Sequence, residues 1–178
     1  MIKGCENKNI IFNKLITYKS NSSVKLEFSS KTFNLNDIDC FTSYITEKFF
    51  NNYTDDFKYS IEIILKESIL NSFYHGNFNI NSRIKENEDG FEEFYKLVSE
   101  REKDIKYNSR KVFLEIIIKN NKVILMIRDE GNGFKYSDLN IDIYKTYGRG
   151  IKLIRINSDK IYWNEKGNEI IIEKNING

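Results

Sequence analysis

The runs KVFLEIII and KVILMIR, which begin at Lys111 and Lys122, constrain the fold more than any other feature. Both are rich in β-branched residues, and Asn120 and Asn121 lie between them. Asparagine tolerates positive φ, so Asn-Asn at this point predicts a tight antiparallel hairpin. The second run breaks at once into RDEGNGF, residues 128–134. A strand that ends in an acidic pair, with glycines on either side of Asn132, raises the expectation that something is bound against that turn.

The flanking sequence supplies the other elements. VKLEF (24–28) alternates apolar and polar residues and predicts a strand, and the segment FNLNDIDCFTSYITEKFF after it has helical spacing. DDFKYSIEIILKESILNSFYHGN (55–77) is the strongest helix, acidic at its start and with Gly76 where a C-terminal cap would sit. From 82 to 106 the chain is highly charged, and Phe91, Phe94, Tyr95, Leu97 and Val98 predict a thin apolar stripe on an amphipathic helix. GRGIKLIRI (148–156) restarts a helix, and DKIYWN with EIIIEK predicts a second hairpin turning at Gly167. Residues 1–22 read as an edge strand or a loose arm. This order predicts an α+β two-layer sandwich, a mixed sheet with helices on one face. A single domain is expected over 23–178, with a helical insertion at 82–110.

Composition narrows the function classes. With 178 residues, 40% of them hydrophobic, the chain can bury a sizeable core. A net charge of +2, with 30% charged residues of both signs interleaved, offers no continuous basic patch, so nucleic acid is not the expected partner. No run approaches the ~20 apolar residues that span a bilayer, and the N-terminal stretch has no signal-like apolar segment. A soluble, cytoplasmic protein without a membrane partner is expected. Cys5 and Cys40 stand far apart with no CxxC spacing, which suggests neither a zinc site nor a disulfide framework and favours a reducing compartment.

Three groups of residues carry candidate chemistry. On the helix from Asp55, Glu67, Asn71 and His75 recur at every fourth residue and line one stripe. At about 100° per residue, that stripe lies well away from the solvated face expected at Glu62 and Lys66, and Ile63, Ile64 and Leu70 border it. A carboxylate and an amide among apolar residues need partners. Asn71 could offer its carbonyl oxygen to Mg²⁺ and Glu67 could take a proton; equally, the pair could cap backbone or meet solvent at a helix edge, and His75 reads as structural. Asp129, Gly131 and Gly133 form a D-x-G-x-G pattern in which the carboxylate suits a ligand that donates N–H, such as a purine amine, although by itself an acidic turn with two glycines is more often simply a turn. Gly148 and Gly150 open a helix, where free N–H groups attract phosphate, although the pattern is neither a P-loop nor a Rossmann turn.

Taken in order, ESILNSFYHGN, RDEGNGF and YGRGIKLIRINSDKIYWNEKGNEIIIEK resemble the N-box and the two glycine boxes of the ATP-binding domain shared by histidine kinases, type II topoisomerases, heat-shock chaperones and mismatch-repair ATPases. The resemblance is strongest to bacterial anti-sigma factor serine/threonine kinases and spans residues 24–174. It implies the Bergerat-type ATP-binding fold, with ATP and Mg²⁺ as cofactors. By the same resemblance, Glu67 is general base or polariser and Asn71 the protein ligand to Mg²⁺. Asp129 bonds the adenine amine, Gly131 and Gly133 shape its pocket, and Gly148, Arg149 and Gly150 contact phosphates. The implied partners are a sigma factor or comparable regulator and a STAS-domain antagonist that is phosphorylated on serine; a homodimer is left open. The charged segment between His75 and Lys111 departs from compact members of that family. A second expectation therefore stands beside the kinase: a nucleotide-gated protein-binding module without kinase activity, in which ATP orders the loop 134–147.

Overall fold

The computed structural model describes residues 16–19, 22–134 and 149–176 of the chain. Strands β1 (Ile16–Lys19), β2 (Ser23–Ser29), β3 (Lys111–Lys119), β4 (Lys122–Asp129), β5 (Lys160–Trp163) and β6 (Glu169–Asn175) build one six-stranded sheet in the order β1-β2-β3-β4-β6-β5. The helices are α1 (Ile38–Phe50), α2 (Asp55–Asn71), α3 (Gly90–Lys103), the single turn α4 (Ile105–Asn108) and α5 (Arg149–Asn157). The protein is an α+β sandwich. Every strand pairing is antiparallel, so the sheet is not mixed as the element order predicted. The helical excursion between β2 and β3 brings the chain back beside β2 in the opposite direction, whereas a parallel neighbour would need a crossover to the same end of the sheet.

Local chemistry accounts for the elements. Asn120 and Asn121 both adopt positive φ, 51° and 58°, and close β3 onto β4 in register Lys119↔Lys122. The Thr54 hydroxyl caps α2 by accepting the Phe57 N–H at 3.3 Å, and Asp55 and Asp56 place negative charge against the positive end of its dipole. Residues 16–19 form an edge strand on β2; apart from Ser22, the rest of the predicted arm lies outside the described residues.

Period-2 alternation sets the core face. Cross-strand register aligns Val24, Ile116, Leu125 and Ile172 in one row, then Leu26, Leu114, Ile127 and Ile170, then Phe28, Val112 and Asp129. These rows share one buried cluster with Phe41 and Ile45 of α1, Ile61, Ile64, Leu65 and Ile69 of α2, and Ile154 of α5. The opposite face carries ion pairs, Lys25–Glu115 at 3.0 Å, Lys122–Glu173 at 3.1 Å and Lys111–Glu27. Hence the helices cover one face.

The strongest predicted helix changes character before it ends. After Asn71 it widens into a π-helical turn, Ser72–Asn77, closed by Phe78 N–H donating to Phe73 O at 2.8 Å. Gly76 is not the left-handed cap that its position suggested. Asn79, with φ of 54°, reverses the chain instead. Phe73 of this turn packs on Phe28 and Phe33 of the β2 end, with ring centroids 6.0 and 6.3 Å apart.

The insertion is helical, but its apolar stripe is narrower than predicted. Phe94 and Val98 are buried and Leu97 partly so, whereas Phe91 and Tyr95 are each 59% exposed. Cys40 is disulfide-bonded, which its spacing gave no reason to expect; Cys5 lies outside the described residues. Among the described residues no helix is long and apolar enough to cross a membrane.

Phe73 is fully buried where sheet, α1 and the π-helical turn meet. Phe73→Ala is expected to cost about 3–5 kcal/mol, read as a lower midpoint in urea unfolding.

Candidate functional site

Helix α5 packs along α2, and the two come close at Gly150. A Cβ at Gly150 would stand 2.8 Å from Glu67 Oε2 and 3.3 Å from Asn71 Nδ2. Gly150 therefore lies directly over the polar stripe of the long helix, and only a glycine fits there without displacing one of the two side chains. Glu67 and Asn71 are each half-buried. Burial pushes the Glu67 carboxyl above its usual range, partly offset by the positive charges of Lys66 and Lys85. Lys66 is held by Asp39 of α1 at 2.5 Å, and Glu62 is also partly buried, with its pKa raised by that burial. The face expected to be solvated is thus the edge of α2 that meets α1.

Asp129 occupies the core face of β4, the last member of the row begun by Phe28 and Val112. Its carboxylate sits against Gly76, where a Cβ would lie only 2.4 Å from Asp129 Cγ. Gly131 faces Gly76 as closely, since a Cβ there would stand 2.4 Å from Gly76 O. Both glycines are close-approach positions. Gly133 is a close-approach position too, since a Cβ there would meet Lys166 O at 1.9 Å, and it also adopts positive φ, 76°. Asp129 Oδ1 accepts the Gly131 N–H at 2.8 Å, while burial pushes its pKa from 3.8 up to about 6.

Three asparagines that the sequence did not single out hold this turn. Asn168 O accepts the Asp129 N–H at 3.0 Å, and its Nδ2 donates to Asp129 O at 2.7 Å. Asn164 Oδ1 accepts the N–H groups of Gly167 and Asn168 at 2.8 and 3.1 Å and thereby shapes the β5–β6 turn. Asn77, fully buried, accepts the Glu130 N–H at 3.0 Å and donates to Lys111 O at 3.1 Å, tying the π-helical turn to the ends of β3 and β4. Asparagine beside glycine is a common turn signal, which hides such roles in the sequence. Glu130 is exposed, and its Oε2 accepts the Lys111 N–H at 2.8 Å.

The remaining predicted positions divide. His75 is structural: its Nδ1 lies 2.6 Å from Ile80 O, and desolvation lowers its pKa. Arg149 is exposed at the start of α5. Gly148 and the loop predicted at 134–147, apart from Phe134, lie outside the described residues. A cleft of about 310 Å³ lined by Phe134, Ile161, Trp163, Asn164, Glu165 and Gly167 borders the Asp129 turn without including Glu67, Asn71 or Asp129.

The structure thus joins Glu67, Asn71 and Gly150 in one group and Asp129, Gly131 and Gly76 in another, linked by the turn Ser72–Asn77. No model of a known family matches the chain, and no curated protein matches its sequence.

The raised pKa has a measurable consequence. Between about pH 4 and 6 the unfolded chain ionises Asp129 first, so stability falls as pH rises through that window and stays lowered above it. At ~1.4 kcal/mol per pKa unit the full penalty approaches about 3 kcal/mol. Asp129→Asn keeps an oxygen for the Gly131 N–H and removes the ionisation. Ligand-free Asp129→Asn should therefore be about 2 kcal/mol more stable than the wild type at pH 7.5, and the difference should vanish near pH 4, in paired urea titrations.

Proposed function

We propose that the protein binds a magnesium-complexed adenine nucleotide and acts as an anti-sigma-factor-like protein kinase, transferring the terminal phosphoryl group to serine or threonine of a partner. The observation that carries this reading is the closure of Gly150 on Glu67 and Asn71. It brings the N-terminal end of α5 over a carboxylate and an amide that helix α2 keeps half-buried.

The residues present suit that ligand. The buried Asp129 carboxylate, already bonded to Gly131 through one oxygen, offers an acceptor to the exocyclic amine of adenine. Gly76 and Gly131 leave backbone without side chains beside it, and Gly133 gives the turn its positive φ. Asn71 would supply a hard oxygen to Mg²⁺, which retains waters and phosphate oxygens and needs few protein ligands. When bound, the ion neutralises developing phosphate charge. The N–H groups of the first turn of α5, with Gly148, Arg149 and Gly150, would take the phosphates.

Glu67, with its pKa raised by burial, is the base. In the transfer the substrate hydroxyl gives its proton to Glu67 as its oxygen bonds the terminal phosphorus. The bond from that phosphorus to the bridging oxygen breaks, and ADP leaves. The partners under this proposal are a sigma factor or comparable regulator and a STAS-domain antagonist, which implies a cytoplasmic setting. A second reading, the nucleotide-gated binding module, draws on Phe91 and Tyr95, which expose aromatic surface on a helix docked beside the site.

Calorimetric titration of MgATP should give micromolar-range binding to the wild type and about a hundredfold weaker binding to Asp129→Asn, a loss expected for a buried charged acceptor. Absence of binding to nucleotide-free wild type would remove the nucleotide reading. Glu67→Gln should retain MgATP affinity within about threefold while lowering phosphate transfer to a STAS-domain substrate by about 10²-fold or more. Undiminished transfer would exclude Glu67 as the base, and no transfer by the wild type would favour the binding module.

A further inference from the structure

The insertion brings a cation to the site. Lys85 lies in the 3₁₀ segment Ser82–Glu86, and its ammonium sits 3.6 Å from the centroid of the Phe94 ring. Phe94 is fully buried and packs edge-on against Tyr74 at 5.2 Å and near His75 at 6.5 Å, on the turn that follows Asn71. The backbone beneath Lys85 is held too, because Gly90 packs so closely on Ile84 and Lys85 that a Cβ would meet Ile84 O at 2.0 Å.

What Lys85 does with its charge is unusual for its surroundings. Glu86, Glu88, Asp89, Glu92 and Glu93 lie close in sequence and are all exposed, yet among the described residues Lys85 forms an ion pair with none of them. It interacts electrostatically with Glu67, also without closing to an ion pair. Lys66, the other cation acting on Glu67, is occupied by Asp39 at 2.5 Å. A lysine fixed on an aromatic face and half-desolvated is costly unless an anion completes its coordination.

On the basis of the nucleotide site described above, we propose that Lys85 contacts the terminal phosphate of the bound nucleotide and makes the site selective for triphosphate over diphosphate. The insertion thereby contributes to the site itself. Glu67 and Asn71 stand against Gly150, and Lys85 acts electrostatically on that same Glu67, so a phosphate oxygen bound beside Glu67 would answer the ammonium while the adenine end remains with Asp129.

The test compares magnesium complexes of ADP and of a non-hydrolysable ATP analogue by calorimetry on wild type, Lys85→Met and Lys85→Arg. Methionine keeps the apolar contact with Phe94, so the fold should hold, checked by an unchanged thermal midpoint. Lys85→Met should lose about tenfold or more in affinity for the triphosphate analogue, with ADP affinity within about threefold, and Lys85→Arg should recover most of the loss. Equal effects on both nucleotides, or no effect on either, would overturn the role of Lys85 and leave the nucleotide site standing. A wild type that binds neither nucleotide would overturn the site reading, and this role with it.

Discussion

Asp129 stands in a row of the sheet that is otherwise apolar, and much of the local architecture follows from accommodating it. A carboxylate on the core face loses its hydration and must be held by neighbouring groups. Gly131 gives it a backbone N–H, Asn168 brackets its own backbone from both sides, and Gly76 lets the preceding helix come within van der Waals distance. Gly131 is two residues away along the chain, but Gly76 and Asn168 are remote and meet Asp129 only because three separate segments converge there. A side chain at Gly76 or Gly131 would wedge the π-helical turn away from β4.

The widened turn Ser72–Asn77 is the element that makes convergence geometrically workable. An ordinary α-helical continuation would fix the orientation of every later residue by the 3.6-residue period, whereas one wider turn re-aims the chain. Here Phe73 enters the aromatic cluster with Phe28 and Phe33, Asn77 reaches the ends of β3 and β4, and Gly76 meets Asp129. Tyr74 is left facing the insertion, where Phe94 packs on it. The apolar rows and the phenylalanine cluster offset the cost of the buried polar groups, a pattern expected where a protein gives up local stability for a site.

Much of the fold was readable from local rules. The β3–β4 hairpin follows from Asn120 and Asn121, because tolerance of positive φ is a property of the residue itself. The stripe of Glu67 and Asn71 follows from helical period, while its closeness to Gly150 was not visible in the spacing. Other positions were misread where two structural causes leave one sequence signature. Gly76 looked like a helix cap and is a close-approach glycine. Phe91 and Tyr95 looked like part of a buried stripe, yet α3 turns only Phe94 and Val98 fully inward. Asn77 and Asn168 gave the ordinary signal of turn residues, so their hydrogen bonds to distant backbone could not be seen.

The sequence by itself determined the elements, their order and the polar stripe on α2, because periodicity and backbone preference act over a few residues. Tertiary structure decided the antiparallel pairing of β2 with β3 and of β4 with β6, the meeting of Asp129 and Gly131 with Gly76, and the placing of Gly150 over Glu67 and Asn71. Each of these joins residues far apart along the chain, and such contacts depend on how whole elements pack, which no short window of sequence encodes.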